Sequence, residues 1–152
     1  MKYLLLFLIS FNALCDNKTY IDQIGDYNSV QIQQIGNNNL TTIQSNGNNN
    51  TINADQTTNK TAIISVTDSN NLVQLQQKDN ASDYASIILT GGNKAVNVVQ
   101  QGTGAHSADV TLSGQSTNLS LSQTGAVNQS YSINFNCSTV GGCGVIQVQQ
   151  GQ

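Results

Sequence analysis

From Asn17 onward the chain alternates between positions of two kinds in short runs, and each run ends in Gly and Asn. The first run reads Asn17-x-Thr19-x-Ile21-x-Gln23-x-Gly25, and the second Asn28-x-Val30-x-Ile32-x-Gln34-x-Gly36. Period-two alternation closed by turn residues is the pattern of a short strand with one buried face. Gly25, Gly36 and Gly47 superpose at an eleven-residue step, and Asn28, Asn39 and Asn50 fall into register with them. With small slips at the turns, the series continues to the last residues. Its inward positions are Thr41, Ile43 and Ser45; Ile52, Ala54 and Gln56; Ala62, Ile64 and Val66; Val73, Leu75 and Gln77; and Ala85, Ile87 and Leu89. Beyond these come Val96, Val98 and Gln100; Ala108, Val110 and Leu112; Leu119, Leu121 and Gln123; Tyr131, Ile133 and Phe135; and Ile146, Val148 and Gln150. The pattern predicts about twelve strands in six pairs.

The third inward position alternates between amide and apolar: Gln34, Gln56, Gln77, Gln100, Gln123 and Gln150 on one set of strands, and Ser45, Val66, Leu89, Leu112 and Phe135 on the strands between. The structural repeat is therefore about 22 residues, a strand-turn-strand-turn unit. Strands this short, joined by tight turns, predict an all-β, amyloid-like parallel β-solenoid of two sheets and about six rungs, with side chains interlocked between the sheets. Inward Gln, Gln23 included, is expected to form a core amide ladder, each side chain donating to and accepting from its neighbours. A buried amide without such partners costs roughly 1–3 kcal/mol, so the series requires rungs in register. Gly25, Gly36, Gly47, Gly102 and Gly125, with Asn28, Asn39 and Asn50, are read as turn residues that together supply the positive φ of tight turns.

Composition narrows the function. Charged residues are 9% of the 152, Arg, Glu, Pro and Trp are absent, and Asn plus Gln make up about a quarter. Such a chain has little material for acid-base chemistry and much for stacked amides, whereas disorder usually brings Pro and high net charge. Five Lys against eight Asp give no basic field for nucleic acid. Asp68, Asp79, Asp83, Lys60, Lys78 and Lys94 fall at or beside turns, where solvated charge can act against premature self-assembly. His106, the single histidine, lies too near Ser107 and Asp109 on one strand to build a hydrolytic triad and is expected at a turn edge. Neither metal nor cofactor site is expected. Residues 1–15, a Lys followed by an apolar run and small residues, read as a secretory signal peptide, leaving 16–152 as the repeat domain. Lipidation of Cys15 is the alternative. In an oxidising compartment Cys137 and Cys143, six apart, can close a small disulfide loop that tunes the final rung without being required for it.

The segment YIDQIGDYNSVQIQQIGNNN, and the repeated Asn/Ser, Gln, Gly and Asn behind a signal peptide, resemble the curlin repeats of bacterial curli amyloid fibres. The likeness is strongest over 17–50 and extends with weaker register to Gln152. It implies a secreted subunit that crosses the outer membrane unfolded through a dedicated pore, with chaperones, and polymerises with itself and a related curlin subunit into biofilm matrix and adhesive fibres on the cell surface. Two features depart from the family pattern: repeats that begin almost at the expected cleavage site, and the cysteine pair. Major fibre subunit and minor nucleating subunit are both open on this pattern. The competing class is a monomeric solenoid that binds ice or polysaccharide through a flat outward face, but the outward residues Gln31, Gln33, Thr42, Gln44, Asn53, Asp55 and Gln74 form no regular Thr array.

Overall fold

In the computed structural model, which describes residues 8–11 and 16–151, the chain winds as a two-sheet parallel β-solenoid without a helix among the described residues. The strands are β1 (Leu8–Phe11), β2 (Lys18–Ile24), β3 (Ser29–Ile35), β4 (Leu40–Asn46), β5 (Thr51–Thr57), β6 (Lys60–Thr67), β7 (Leu72–Lys78), β8 (Asp83–Leu89), β9 (Lys94–Gly102), β10 (His106–Gly114), β11 (Thr117–Gly125), β12 (Gln129–Cys137) and β13 (Val145–Gly151). Odd strands stack in one sheet in the order β1-β3-β5-β7-β9-β11-β13, and even strands in the other, β2-β4-β6-β8-β10-β12. The repeat spans about 23 residues, and the chain makes about six turns. The cleavage boundary expected near Cys15 lies outside the described residues.

The core is the space between the sheets. Columns run straight up it: Val30, Ile52, Val73, Val96, Leu119 and Ile146 in the first sheet, and Ile43, Ile64, Ile87, Val110 and Ile133 in the second. Middle rungs bury these side chains fully, while Ile21, Tyr131, Ile133, Phe135, Ile146 and Val148 at the two ends are only partly covered. Each rung meets its neighbours alone, so the end rungs lack the partner that buries the others. Burial alternates along the interior strands up to their last residues, which fixes register, because a one-residue slip would turn the whole apolar set outward.

One strand was not expected as part of the solenoid. β1, inside the segment read as a signal peptide, pairs with β3 from Leu8↔Gln31 to Phe11↔Gln34 and so covers the lower edge of the odd sheet. At the other end a disulfide joins Cys137 to Cys143 across 5.7 Å between Cα atoms. This loop lengthens the last turn, so the final step of the Gln series spans 27 residues where earlier steps span 21 to 23.

Candidate functional site: the side-chain ladders

Three ladders of polar side chains climb the solenoid, and the first of them runs from Gln34 to Gln150. In the first, the amide Nε2 of each Gln donates to Oε1 of the Gln one rung higher: Gln34 to Gln56 at 3.0 Å, Gln56 to Gln77 at 2.8 Å, Gln77 to Gln100 at 2.8 Å, Gln100 to Gln123 at 2.9 Å, and Gln123 to Gln150 at 2.9 Å. The second amide proton crosses to the opposite sheet, Gln100 reaching Tyr84 O and Gln123 reaching Ser107 O, each at 3.0 Å. The ladder is thus directional and ties the two sheets together. All its members lie on odd strands, and this corrects the assignment of Gln23. That residue sits on β2 in the even sheet, half a turn from Gln34, in the column Gln23, Ser45, Val66, Leu89, Leu112 and Phe135; its Nε2 donates to Asn28 O.

The second and third ladders stand where each strand begins. Asn28 Oδ1 accepts the Asn50 N–H, Asn50 Oδ1 that of Asn71, and Asn71 Oδ1 that of Lys94, at 2.9 to 3.1 Å. On the even side, Asn17 Oδ1 accepts from Asn39 N–H and Asn39 Oδ1 from Lys60 N–H. Asn28, Asn39 and Asn50, read as plain turn residues, are therefore buried ladder members. The positive φ falls on the residues before them, Tyr27, Asn38 and Asn49. Gly25, Gly36, Gly47, Gly102 and Gly125 all have positive φ, as a tight turn requires.

The even-side ladder changes character halfway up. Its positions after Asn39 are Lys60, Asp83, His106 and Gln129, each stacked on the last. These charges are not the solvated rim that their sequence positions suggested: Lys60 is 0% exposed, Lys94 1%, Asp83 2% and His106 1%. Of the expected rim, Asp68 and Lys78 remain exposed, Lys78 paired at the surface with Asp55. The Lys60 ammonium donates to Asp79 Oδ1 and to Ala81 O and lies 3.0 Å from Asp83 Oδ2. Asp83 Oδ1 accepts the His106 N–H at 2.9 Å, as an Asn would. Burial pushes the Asp83 carboxyl above the usual carboxylate range, against the pull of the His106 N–H and the Lys60 ammonium. The sequence carried one signal for this cluster: Asp83 and His106 stand one repeat apart, in the column that begins with Asn17 and Asn39.

Lys94 does on the odd side what Lys60 does on the even side, its Nζ donating to Gly114 O and Gln115 O. Burial lowers its affinity for the proton below the ordinary 10.5, with Asp68 opposing. In the interval between the lowered value and 10.5 the unfolded chain binds more protons than the folded one, so stability rises with pH there. The unfolding midpoint of the wild-type chain is therefore expected to gain on that of a Lys94→Met variant as pH climbs from neutrality toward 10.5. A difference between the two denaturation curves that stays flat with pH would contradict this.

The outward face has no comparable order. The column Gln31, Asn53, Gln74, Asn97 and Ser120 stands beside Gln33, Asp55, Gln76, Val99 and Ser122, a mixture of amides, acid and aliphatic residues. No family model, curated protein or solved structure matches this chain.

Proposed function

We propose that this protein is a secreted structural subunit of a curli-type functional amyloid, which self-assembles by cross-β stacking into fibres at the bacterial cell surface. The observation that supports the reading best is the match between the two ends of the solenoid. At the upper end Gln150 Oε1 accepts from Gln123, and Gln150 is the last member of the ladder among the described residues. At the lower end Gln34 Oε1 holds, among the described residues, only the Thr19 hydroxyl. A second copy set on top in the same register places Val30, Ile32 and Gln34 over Ile146, Val148 and Gln150, and Thr19, Ile21 and Gln23 over Tyr131, Ile133 and Phe135. Of these six inward columns four continue with their own residue class, while Tyr131 and Phe135 meet Thr19 and Gln23. Open sheet edges with a matched dry face template the next strand.

A chain beginning at Asp16 is expected to form thioflavin-positive fibres with reflections near 4.8 Å and 10 Å. The full-length chain should nucleate more slowly, because β1 holds the β3 edge that the partner's β13 would take. A chain from Asp16 that stays monomeric for days at micromolar concentration, unseeded by its own aggregates, overturns the reading.

A further inference from the structure

We propose that Asp79, Asp83 and His106 form a binding site for a divalent transition-metal ion of the zinc class, built into the even-side ladder. One imidazole nitrogen of His106 and one carboxylate oxygen from each aspartate lie within 4.8 Å of one another. Independent of that distance, polar atoms here lack hydrogen-bond partners among the described residues: His106 Nδ1 and Asp79 Oδ2 are buried and unsatisfied, so is Gln129 Oε1 in the rung above, and Asp83 Oδ2 has only its ion pair with Lys60. Buried polar atoms left this way are costly unless something is meant to meet them. The imidazole is also held as a metal ligand is. His106 Nε2 faces the Gln101 carbonyl oxygen at 3.3 Å, and a carbonyl can only accept, so Nε2 carries a proton and in the neutral ring Nδ1 has the lone pair that a metal takes. Ligating histidines commonly fix their second nitrogen on a carbonyl in this manner.

Charge points the same way. Two carboxylates face one ammonium, which leaves the buried cluster one negative charge in excess. Two carboxylates and an imidazole suit a borderline ion, and tetrahedral zinc, with ligands at about 2.0–2.2 Å, draws its donor atoms to roughly 3.4 Å apart. A modest closure of the three side chains reaches that spacing. Lys60 would keep Asp79 Oδ1 and Ala81 O as acceptors and give up only its contact with Asp83 Oδ2.

Because His106 is the only histidine, its ring nitrogens report on this site alone. Zinc chloride titrated into the full-length chain carrying nitrogen-15 histidine should shift Nδ1 to saturation while Nε2 keeps its proton. Asp83→Asn places at this position the side chain that the column carries at Asn39 and keeps an acceptor for the His106 N–H, so it should fold, with an unchanged far-ultraviolet spectrum. It should bind zinc at least about tenfold more weakly. An imidazole spectrum indifferent to excess zinc overturns the proposal, and so does an Asp83→Asn chain that binds zinc as tightly as wild type. A ring that responds to pH but not to zinc makes the cluster a proton site and equally ends the metal reading. The readout is binding to the soluble chain, so it stands or falls apart from fibre formation.

Discussion

Gln77→Ala is expected to destabilise the solenoid by roughly 3–6 kcal/mol, and Gln76→Ala beside it by less than about 0.5 kcal/mol. The two residues are chemically identical and adjacent, and differ only in the face they occupy. Gln77 is 0% exposed and sits mid-ladder, accepting from Gln56 and donating to Gln100 and to Thr61 O. Its removal strands the Gln56 donor and the Gln100 acceptor in a water-free core, each costing about 1–3 kcal/mol, with a cavity added. Gln76 faces outward and has water available. Gln77→Leu fills most of the cavity but leaves both amides stranded, so it should recover only a small part of the loss. Because rungs couple only to neighbours, the defect also divides the stack, and the urea transition should broaden into two steps. Equal midpoints for the alanine variants at 76 and 77 would refute the inward assignment and the ladder with it.

How much of this was visible in the sequence depended on whether a feature repeats. The Gln and aliphatic columns recur at nearly constant spacing, and period-two alternation distinguishes inward from outward at every step; the sheets, rungs and register follow from those two facts. Gln23 shares the chemistry of the ladder but not its parity: at eleven residues from Gln34 it is half a turn away and must face from the other sheet. The burial of Lys60, Asp83 and His106 is hidden for a different reason. Charge next to a turn usually means solvent, and local sequence cannot show that a turn-flanking position is roofed by the rungs above and below. Only the full column, Asn17, Asn39, Lys60, Asp83, His106 and Gln129, reveals a buried position whose occupants change from amide to ionisable. Asn28, Asn39 and Asn50 have the residue preference of turns, yet the left-handed backbone lies one residue earlier and their side chains bridge rungs.

The ladders also explain why a chain so poor in charge tolerates four buried ionisable side chains. Each replaces an Asn whose Oδ1 accepts the N–H of the next rung, and each finds another way to serve nearby backbone. Asp83 keeps the acceptor, while Lys60 and Lys94 reach carbonyls of later turns. A buried charge without a partner would be expensive, but a charge stacked in a column of backbone dipoles has partners on offer at every rung.

Gly102→Ala should cost more than about 4 kcal/mol, and lower the melting temperature by about 10 °C or more, from the addition of one methyl group. Gly102 ends β9 directly below Gly125, with φ at +139°, a conformation that L side chains rarely adopt. A Cβ there would stand 2.0 Å from Gly125 O and 2.7 Å from Gly125 N. The obstacle is backbone, so no rotamer change relieves it. The carbonyl cannot retreat either, because it accepts the N–H groups of both Thr103 and Gly104, at 3.1 and 3.2 Å. Relief requires lifting the whole upper rung, which breaks the β9–β11 ladder and pulls Gln100 away from Gln123. Gly141→Ala is the control: its Cβ would meet nothing within 4 Å, and its φ is not in the positive range, so its midpoint should stay within about 0.5 kcal/mol of wild type. If the two variants, compared by thermal melting of freshly diluted monomer, unfolded at the same temperature, the close stacking of glycine upon glycine would not be what sets the rung spacing.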